Sequence, residues 1–336
     1  MSPRRHRILV IGCGSIGERH VRTFLATGRT GVAACDNRPA IRQQMIEKYG
    51  VAAFEDWEAA LADPAVTGVV VATPAPLHVD IAHKILSTGR HVLIEKPLAI
   101  KLAGTRRLLA ARARSGKFTA VGYTRHCQRT FLDARDFIRS AQFGSVKHVI
   151  ITTGQDFPAA RPAYREIYYR DHAQGGGAIQ DALTHMANAV EWILGPTTRV
   201  CCDAAHQVLA GVEVEDTVNV SARNGGALVS YALNQFQAPT ESRLDFHAEH
   251  GSVRIEMDPE RWGTLARGDK DWKWRLSLPA VRDIIYIAQA NAFLDGCEGK
   301  PQPLCTLEEG IQTLRFNLAA LQSWRQGTPV AIKSTK

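Results

Sequence analysis

Three stretches of this 336-residue chain carry residues suited to holding oxygen atoms and moving protons. The first is Glu95-Lys96-Pro97. A lysine there can hold a substrate hydroxyl or share in moving its proton, and its pKa falls beside another positive charge. The plain alternative is a surface lysine ahead of a proline-started helix. The second is Gly175-Gly176-Gly177, after which the pattern predicts a helix over 178–194. At 100° per residue, Ile179, Leu183, Met186 and Val190 form one stripe. Asp181, His185 and Asn188 fall opposite, with Trp192 among them. Asp181 and His185 stand four apart, so they are neighbours on the helix surface. A solvated face usually carries lysine and glutamate, so this set suits a cleft wall better than an ordinary polar face. The third is the segment Pro158 to Arg170, with three tyrosines and three arginines. Aromatic faces suit sugar rings and guanidinium suits phosphate or carboxylate, although a packed loop with snorkelling arginines reads the same way. Tyr164 and Arg165 from this segment, with Arg125, join Lys96, Asp181 and His185 as candidate substrate contacts.

A different chemistry is written in Gly12-Cys13-Gly14-Ser15-Ile16-Gly17, which fits G-x-G-x-x-G. Gly12 allows a tight turn, Gly14 lets the backbone approach a pyrophosphate, and Gly17 lets helix and strand pack closely. Unpaired N–H groups at the helix start then face the phosphates. The motif follows an apolar run, opens a helical pattern and precedes a second run ending at Asp36, which lies 36 − 17 = 19 residues past the last glycine. That is where a ribose-binding acid belongs. A glycine turn without a ligand is the alternative. Asp36 favours NAD, because a carboxylate repels the additional phosphate of NADP. Its neighbours Asn37 and Arg38 complete the expected adenosine end, and Arg38 keeps NADP open by offering a partner for a 2′-phosphate. Thr73 and Pro74 end a further apolar run, and His78 begins the next helix. His78 reads equally well as a ligand contact or as a helix-start residue.

These residues need a scaffold, and the pattern describes one. Apolar runs at Ile8–Ile11, Val32–Cys35, Gly68–Ala72, His91–Ile94 and Phe118–Val121 alternate with helical stretches. That alternation predicts a doubly wound parallel sheet, with Thr73, Pro74, Glu95 and Lys96 at its ligand-binding carboxyl edge. From about 215 to 278 the period is two: Val218, Val220 and Ala222, then Leu244, Phe246 and Ala248, then Val253, Ile255 and Met257, then Trp272, Trp274, Leu276 and Leu278. This predicts antiparallel strands with one polar face. Helices close the chain at about 281–298 and 306–326. The expected division is a dinucleotide-binding domain over 1–122 and a substrate-binding and association domain over 123–336.

Composition bounds the function. The net charge of +8 is spread along the chain with no basic run of five, so a generally basic surface is expected and nucleic acid is not. The seven cysteines include no pair at zinc or redox spacing, so a metal is not expected and reduced thiols in a cytoplasmic protein are. The basic residues near the N-terminus precede only Ile8–Ile11 before glycines begin, too short for a signal core, and no stretch approaches a membrane span.

With GCGSIG at 12–17, ATP at 72–74 with His78, EKP at 95–97, GGGAIQDALTH at 175–185 and the C-terminal TLEEGIQTLRFNLAALQSWRQGTPV, the sequence resembles the Gfo/Idh/MocA oxidoreductase family. The resemblance implies a Rossmann domain followed by an α/β domain with a large open, mainly antiparallel sheet, which often serves homodimer or homotetramer association. It implies that Lys96, Asp181 and His185 are the catalytic set and that the Lys96–Pro97 bond is cis. It also implies an NAD(P)-dependent exchange of hydride with a secondary hydroxyl of a sugar, inositol or nucleotide sugar. The alternatives are an NAD-dependent glycosidase and a cofactor-bound sensor without turnover.

Overall fold

The computed structural model describes residues 6–278 and 283–333. Residues 1–5, with the basic Arg4 and Arg5, and the first positions of the helix expected from 281 lie outside them. The chain forms two compact units. One runs up to Cys127 and takes in the described residues from Asp283 to Gly310; the other holds the residues from Gln128 and those from Ile311 onward. A linear division at residue 122 does not contain this return of the later segment to the first unit.

The first unit is built on a seven-stranded sheet. In spatial order its strands are Cys305–Thr306, Thr119–Val121, His91–Ile94, Val66–Val71, His6–Ile11, Thr30–Cys35 and Ala52–Phe54. All neighbours are parallel except Cys305–Thr306, which adds antiparallel to Thr119–Val121. Helices lie between the strands, at Ser15–Ala26, Pro39–Tyr49, His78–Ser87 and Thr105–Ser115. Central positions such as Ile8, Leu9, Val69 and Val70 are fully buried. Burial on both faces is why these strands read as continuous apolar runs rather than alternations. The helix Ile284–Cys297 packs on Ser15–Ala26, where Phe293 meets Phe24 edge to face.

The second unit carries a nine-stranded sheet, in spatial order Lys273–Leu278, Glu260–Ala266, Gly251–Met257, Phe236–Ala248, Val146–Asp156, Ala227–Asn234, Thr217–Asn224, Thr197–Ala205 and Val330–Ala331. Every pair is antiparallel except Ala227–Asn234 with Val146–Asp156. The helices Arg129–Arg139, Thr184–Leu194 and Leu307–Gln326 contribute to its core with Val218, Val220, Leu244, Phe246, Val253 and Ile255, the inward positions of the period-two pattern. The last strand departs from that pattern. Trp262 pairs with Leu276 but Gly263 pairs with Trp274, so Arg275 is an inserted residue. The bulge turns Trp272 and Trp274 away from the face of Leu276. The two indoles stack on each other, with Arg254 over Trp272 and Arg261 over Trp274.

Candidate active site

Strand register in the first unit brings the cofactor candidates to one edge. Ile11 pairs with both Cys35 and Val71, and Val71 pairs with Ile94. The next residues, Gly12, Asp36, Ala72 and Glu95, therefore leave the sheet side by side at its carboxyl end. Gly12 turns the chain at φ +85°, and a Cβ there would lie 2.7 Å from the Ala72 carbonyl oxygen. Gly14 precedes the helix Ser15–Ala26 with no side-chain cap on the helix's first N–H groups, and a Cβ on Gly14 would meet only Arg38, at 3.9 Å. Ser15 is exposed and Ile16 half-buried at this helix start. Thr73 Oγ1 is buried and has no hydrogen-bond partner. An open backbone cradle on a helix start, an unpartnered buried hydroxyl and a carboxylate beyond them fit a dinucleotide.

Asp36 is buried, and its oxygens accept from the N–H groups of Cys13 and Arg38 at 2.8 and 3.0 Å. Burial pushes its carboxyl up, but the Arg38 side chain and these N–H groups together hold it below the usual range. Asn37 and Arg38 are exposed beside it. His78 is buried, with Nε2 2.7 Å from the Thr73 carbonyl and Nδ1 3.0 Å from the Pro97 carbonyl. Burial lowers its pKa against those two acceptors. His78 thus lies between the Thr73-Pro74 and Lys96-Pro97 turns, and its neutral ring has one N–H to donate to one of these two carbonyls. The Lys96–Pro97 bond is cis, and Lys96 is half-buried. Arg125 is also in the first unit, half-buried in the short turn Thr124–Cys127.

In the second unit, the residues expected to start one regular helix begin it as a π-helix, Ile179–Leu183, which continues as the α-helix Thr184–Leu194. Such π segments recur at functional sites. The Glu215 carboxylate accepts from the Ile179 N–H at 2.8 Å, and the Gln180 amide donates to the carbonyls of His172 and Gly176. Asp181 lies in the π segment with little exposure, and Tyr168 donates its hydroxyl to Asp181 Oδ1 at 2.7 Å. His185 follows in the first α-helical turn, half-buried. Tyr169 is buried with its hydroxyl unpartnered; burial, then the charges of Asp181, Glu215 and Asp216, push it above the usual tyrosine value.

Two expectations change here. Asn188 and Trp192 do not line a cleft: both are buried, Asn188 donating to Thr313 Oγ1 at 3.0 Å and Trp192 lying under Arg135. Tyr164 is buried too, its hydroxyl donating to the Ala210 carbonyl at 2.7 Å, and Arg165 Nε donates to the same carbonyl at 2.8 Å. The tyrosine of that segment aimed at the candidate site is Tyr168. Glu215 and Asp216, absent from the sequence-derived candidates, are both fully buried. Asp216 accepts from the N–H groups of Gln207, Val208 and Leu209 and from Thr217 Oγ1, fixing the loop beside Glu215. A Glu-Asp pair just ahead of a strand is the only local signal. Among the described residues, no group of three or more histidine, cysteine or acidic side chains is arranged to hold a metal ion.

The family model described as an oxidoreductase family with an NAD-binding Rossmann fold matches residues 6–123, and the C-terminal domain model of the same family matches 131–254. Similar proteins include the 1,5-anhydro-D-fructose reductase of Ensifer adhaerens, 25% identical over 290 residues, 82% of this chain and 83% of that one. The D-glucoside 3-dehydrogenase of Escherichia coli strain K12 is 24% identical over 349 residues, with 97% of each chain covered. The crystal structure of the WlbA dehydrogenase from Bordetella pertussis, in complex with NADH and UDP-GlcNAcA, has the same fold, with a TM-score of 0.82 at 24% identity over 99% of this chain and 100% of that one. On its sequence matches in both halves, the chain belongs to the Gfo/Idh/MocA family of NAD-binding oxidoreductases.

Proposed function

We propose that this oxidoreductase oxidises a secondary hydroxyl of a sugar, inositol or nucleotide sugar, or reduces the matching ketone, with NAD as its preferred cofactor. The observation that carries the reading is the strand register that sets the Gly12 turn, Asp36, Thr73 and the Glu95-Lys96 turn along one sheet edge. Gly12 to Gly17 and the first N–H groups of Ser15–Ala26 would hold the pyrophosphate, and Asp36 the adenosine ribose. Bound there, nicotinamide supplies the hydride acceptor or donor. The sugar-based names of the two relatives above support the substrate class.

Hydride leaves a carbinol readily only as the hydroxyl proton is removed, and a histidine with a near-neutral pKa suits that step. His185 takes this proton, Asp181 orients and charge-balances His185, and Lys96 holds the substrate oxygen as negative charge develops on it. Tyr168 keeps Asp181 in place through its hydroxyl. In the ketone direction His185 returns the proton.

The face of the nine-stranded sheet that carries Arg243, Asp245, Arg254 and Trp272 serves association into a homodimer or homotetramer. Asp245 is paired there with Arg243 at 3.0 Å and Arg254 at 2.6 Å, so its charge is already met within the chain. The protein acts in the cytoplasm on a small molecule, without nucleic acid or membrane as partner. Its seven cysteines are all free thiols, which fits a reducing compartment. The test is incubation of the protein and NAD with a panel of sugars, inositols and nucleotide sugars. Net NADH formation with a panel member supports the reading. Glycoside cleavage without net NADH replaces it with a hydrolase, and NADH binding without either reaction replaces it with a sensor.

A further inference from the structure

Glu95 is a buried carboxylate whose two oxygens are both taken. Oε2 accepts from the backbone N–H of Lys96 at 3.0 Å, and Oε1 lies 2.7 Å from His20 Nε2. His20 and Glu95 are 1% and 4% exposed, so the contact is sealed from water. Glu95 also lies against Gly122: a Cβ at that position would stand 2.9 Å from Oε1 and 3.1 Å from the carboxyl carbon. Gly122 is held by its N–H to the Ile94 carbonyl at 2.7 Å, so the notch that receives Glu95 is part of the sheet edge itself. The ring of Tyr286 meets His20 edge-on and that of Phe24 packs tilted against it, which restrains the imidazole.

A buried ionisable pair is a poor way to gain stability. Apolar residues of similar volume usually do as well, because desolvation offsets the attraction. What a pair of this kind provides is fixed geometry, and its geometry ends on Lys96. His20 stands on the helix Ser15–Ala26, one turn past the glycine cradle, and Glu95 is the residue before Lys96.

We propose that His20 and Glu95 are positioning residues for Lys96, and that they link its placement to the helix that receives the cofactor. Glu95 fixes the start of the Lys96-Pro97 turn through the Lys96 N–H. His20 fixes Glu95 from the cofactor helix, so that binding at the cradle and the aim of the Lys96 ammonium share one rigid path. His78 packs against the far side of the same turn, its Nδ1 3.0 Å from the Pro97 carbonyl oxygen. This inference rests on the reading of Lys96 as the ligand of the substrate oxygen.

The test compares Glu95→Gln, His20→Ala, His20→Gln and Lys96→Ala in the full-length protein, on the substrate that the panel identifies. Turnover is expressed per NADH-binding site, so that a misfolded fraction drops out. Glu95→Gln and His20→Ala are expected to lower kcat by roughly tenfold to a hundredfold, the effect of a misplacement of about 1 Å, while KM and NADH affinity stay within about twofold. His20→Gln, which keeps a donor at the reach of Nε2, is expected to recover most of the loss. Should His20→Ala fail to fold, the near-isosteric Glu95→Gln carries the test. Unchanged kcat in Glu95→Gln, a loss that tracks NADH affinity, or no recovery in His20→Gln overturns the proposal. Lys96→Ala separates the two readings. If it abolishes turnover while Glu95→Gln and His20→Ala leave kcat unchanged, only the positioning role falls; if it leaves turnover intact, the assignment of Lys96 falls first.

Discussion

Arg38 grips Asp36 with two bonds, Nε to Oδ1 and Nη2 to Oδ2, each at 2.9 Å. The pair joins the two residues whose demands on the cofactor conflict. A carboxylate suits the ribose diol of NAD, and a free guanidinium suits the 2′-phosphate of NADP. In this arrangement the guanidinium is engaged and the N–H groups of Cys13 and Arg38 fill the carboxylate's remaining acceptor positions, so a ribose diol binds Asp36 in exchange for the Arg38 side chain. Fluorescence titration is expected to give tighter binding of NADH than of NADPH. Asp36→Ala frees Arg38 and is expected to narrow the ratio by roughly tenfold, about the worth of one charge-assisted hydrogen bond. Tighter NADPH binding by the unaltered protein would give Arg38 the deciding role instead.

Tyr168 reaches Asp181 across thirteen residues of sequence through its hydroxyl. Tyr168→Phe removes that donor and keeps the ring. Turnover is expected to fall by about tenfold, as for loss of a hydrogen bond to a charged group, with NADH affinity unchanged. Tyr164→Phe is expected to lower thermal stability instead, because its hydroxyl is bound to the Ala210 carbonyl away from Asp181. A kinetic loss in Tyr164→Phe equal to that in Tyr168→Phe would contradict the assignment.

Asp216 ties stability to pH. Burial pushes its carboxyl up, but three backbone N–H groups and the Thr217 hydroxyl outweigh it and hold the folded-state pKa below the ordinary 3.8. A depressed carboxyl contributes stability above its unfolded value and loses it as pH falls toward the folded one. Asp216→Asn is expected to lower unfolding stability by about 2 kcal/mol at neutral pH, the scale of a hydrogen bond to a charged group. The gap should close as urea unfolding is repeated below pH 3.8, where the unfolded aspartate is protonated. A gap that stays constant with pH would mean the carboxylate charge is not what holds the loop.

Much of this was legible in the chain, for reasons visible in particular residues. Val69 to Val71 read as a parallel strand because both sheet faces are covered, and Val218 to Ala222 as an antiparallel one because only one face is. The strand Val146–Asp156 went unseen: its run Val149-Ile150-Ile151 hides the alternation that burial of Val149 and Ile151 reveals. The period-two pattern puts Trp272 and Trp274 on the face of Leu276, because a one-residue bulge leaves no mark in hydrophobicity. The catalytic candidates announced themselves by local spacing, whereas their supports did not. His20 and Glu95 are 75 residues apart, and Glu215 lies 36 from the N–H it caps, so only folding brings these pairs into contact.

His185 is the residue assigned to move the substrate proton. The most direct measurement is turnover of His185→Ala on the substrate found in the panel, beside its NADH affinity. General acid–base catalysis contributes about 10²–10⁴-fold, so kcat is expected to fall by that span with NADH binding nearly unchanged. Full turnover in His185→Ala would contradict the account, return the histidine to an ordinary helix-face role and leave Lys96 as the leading base.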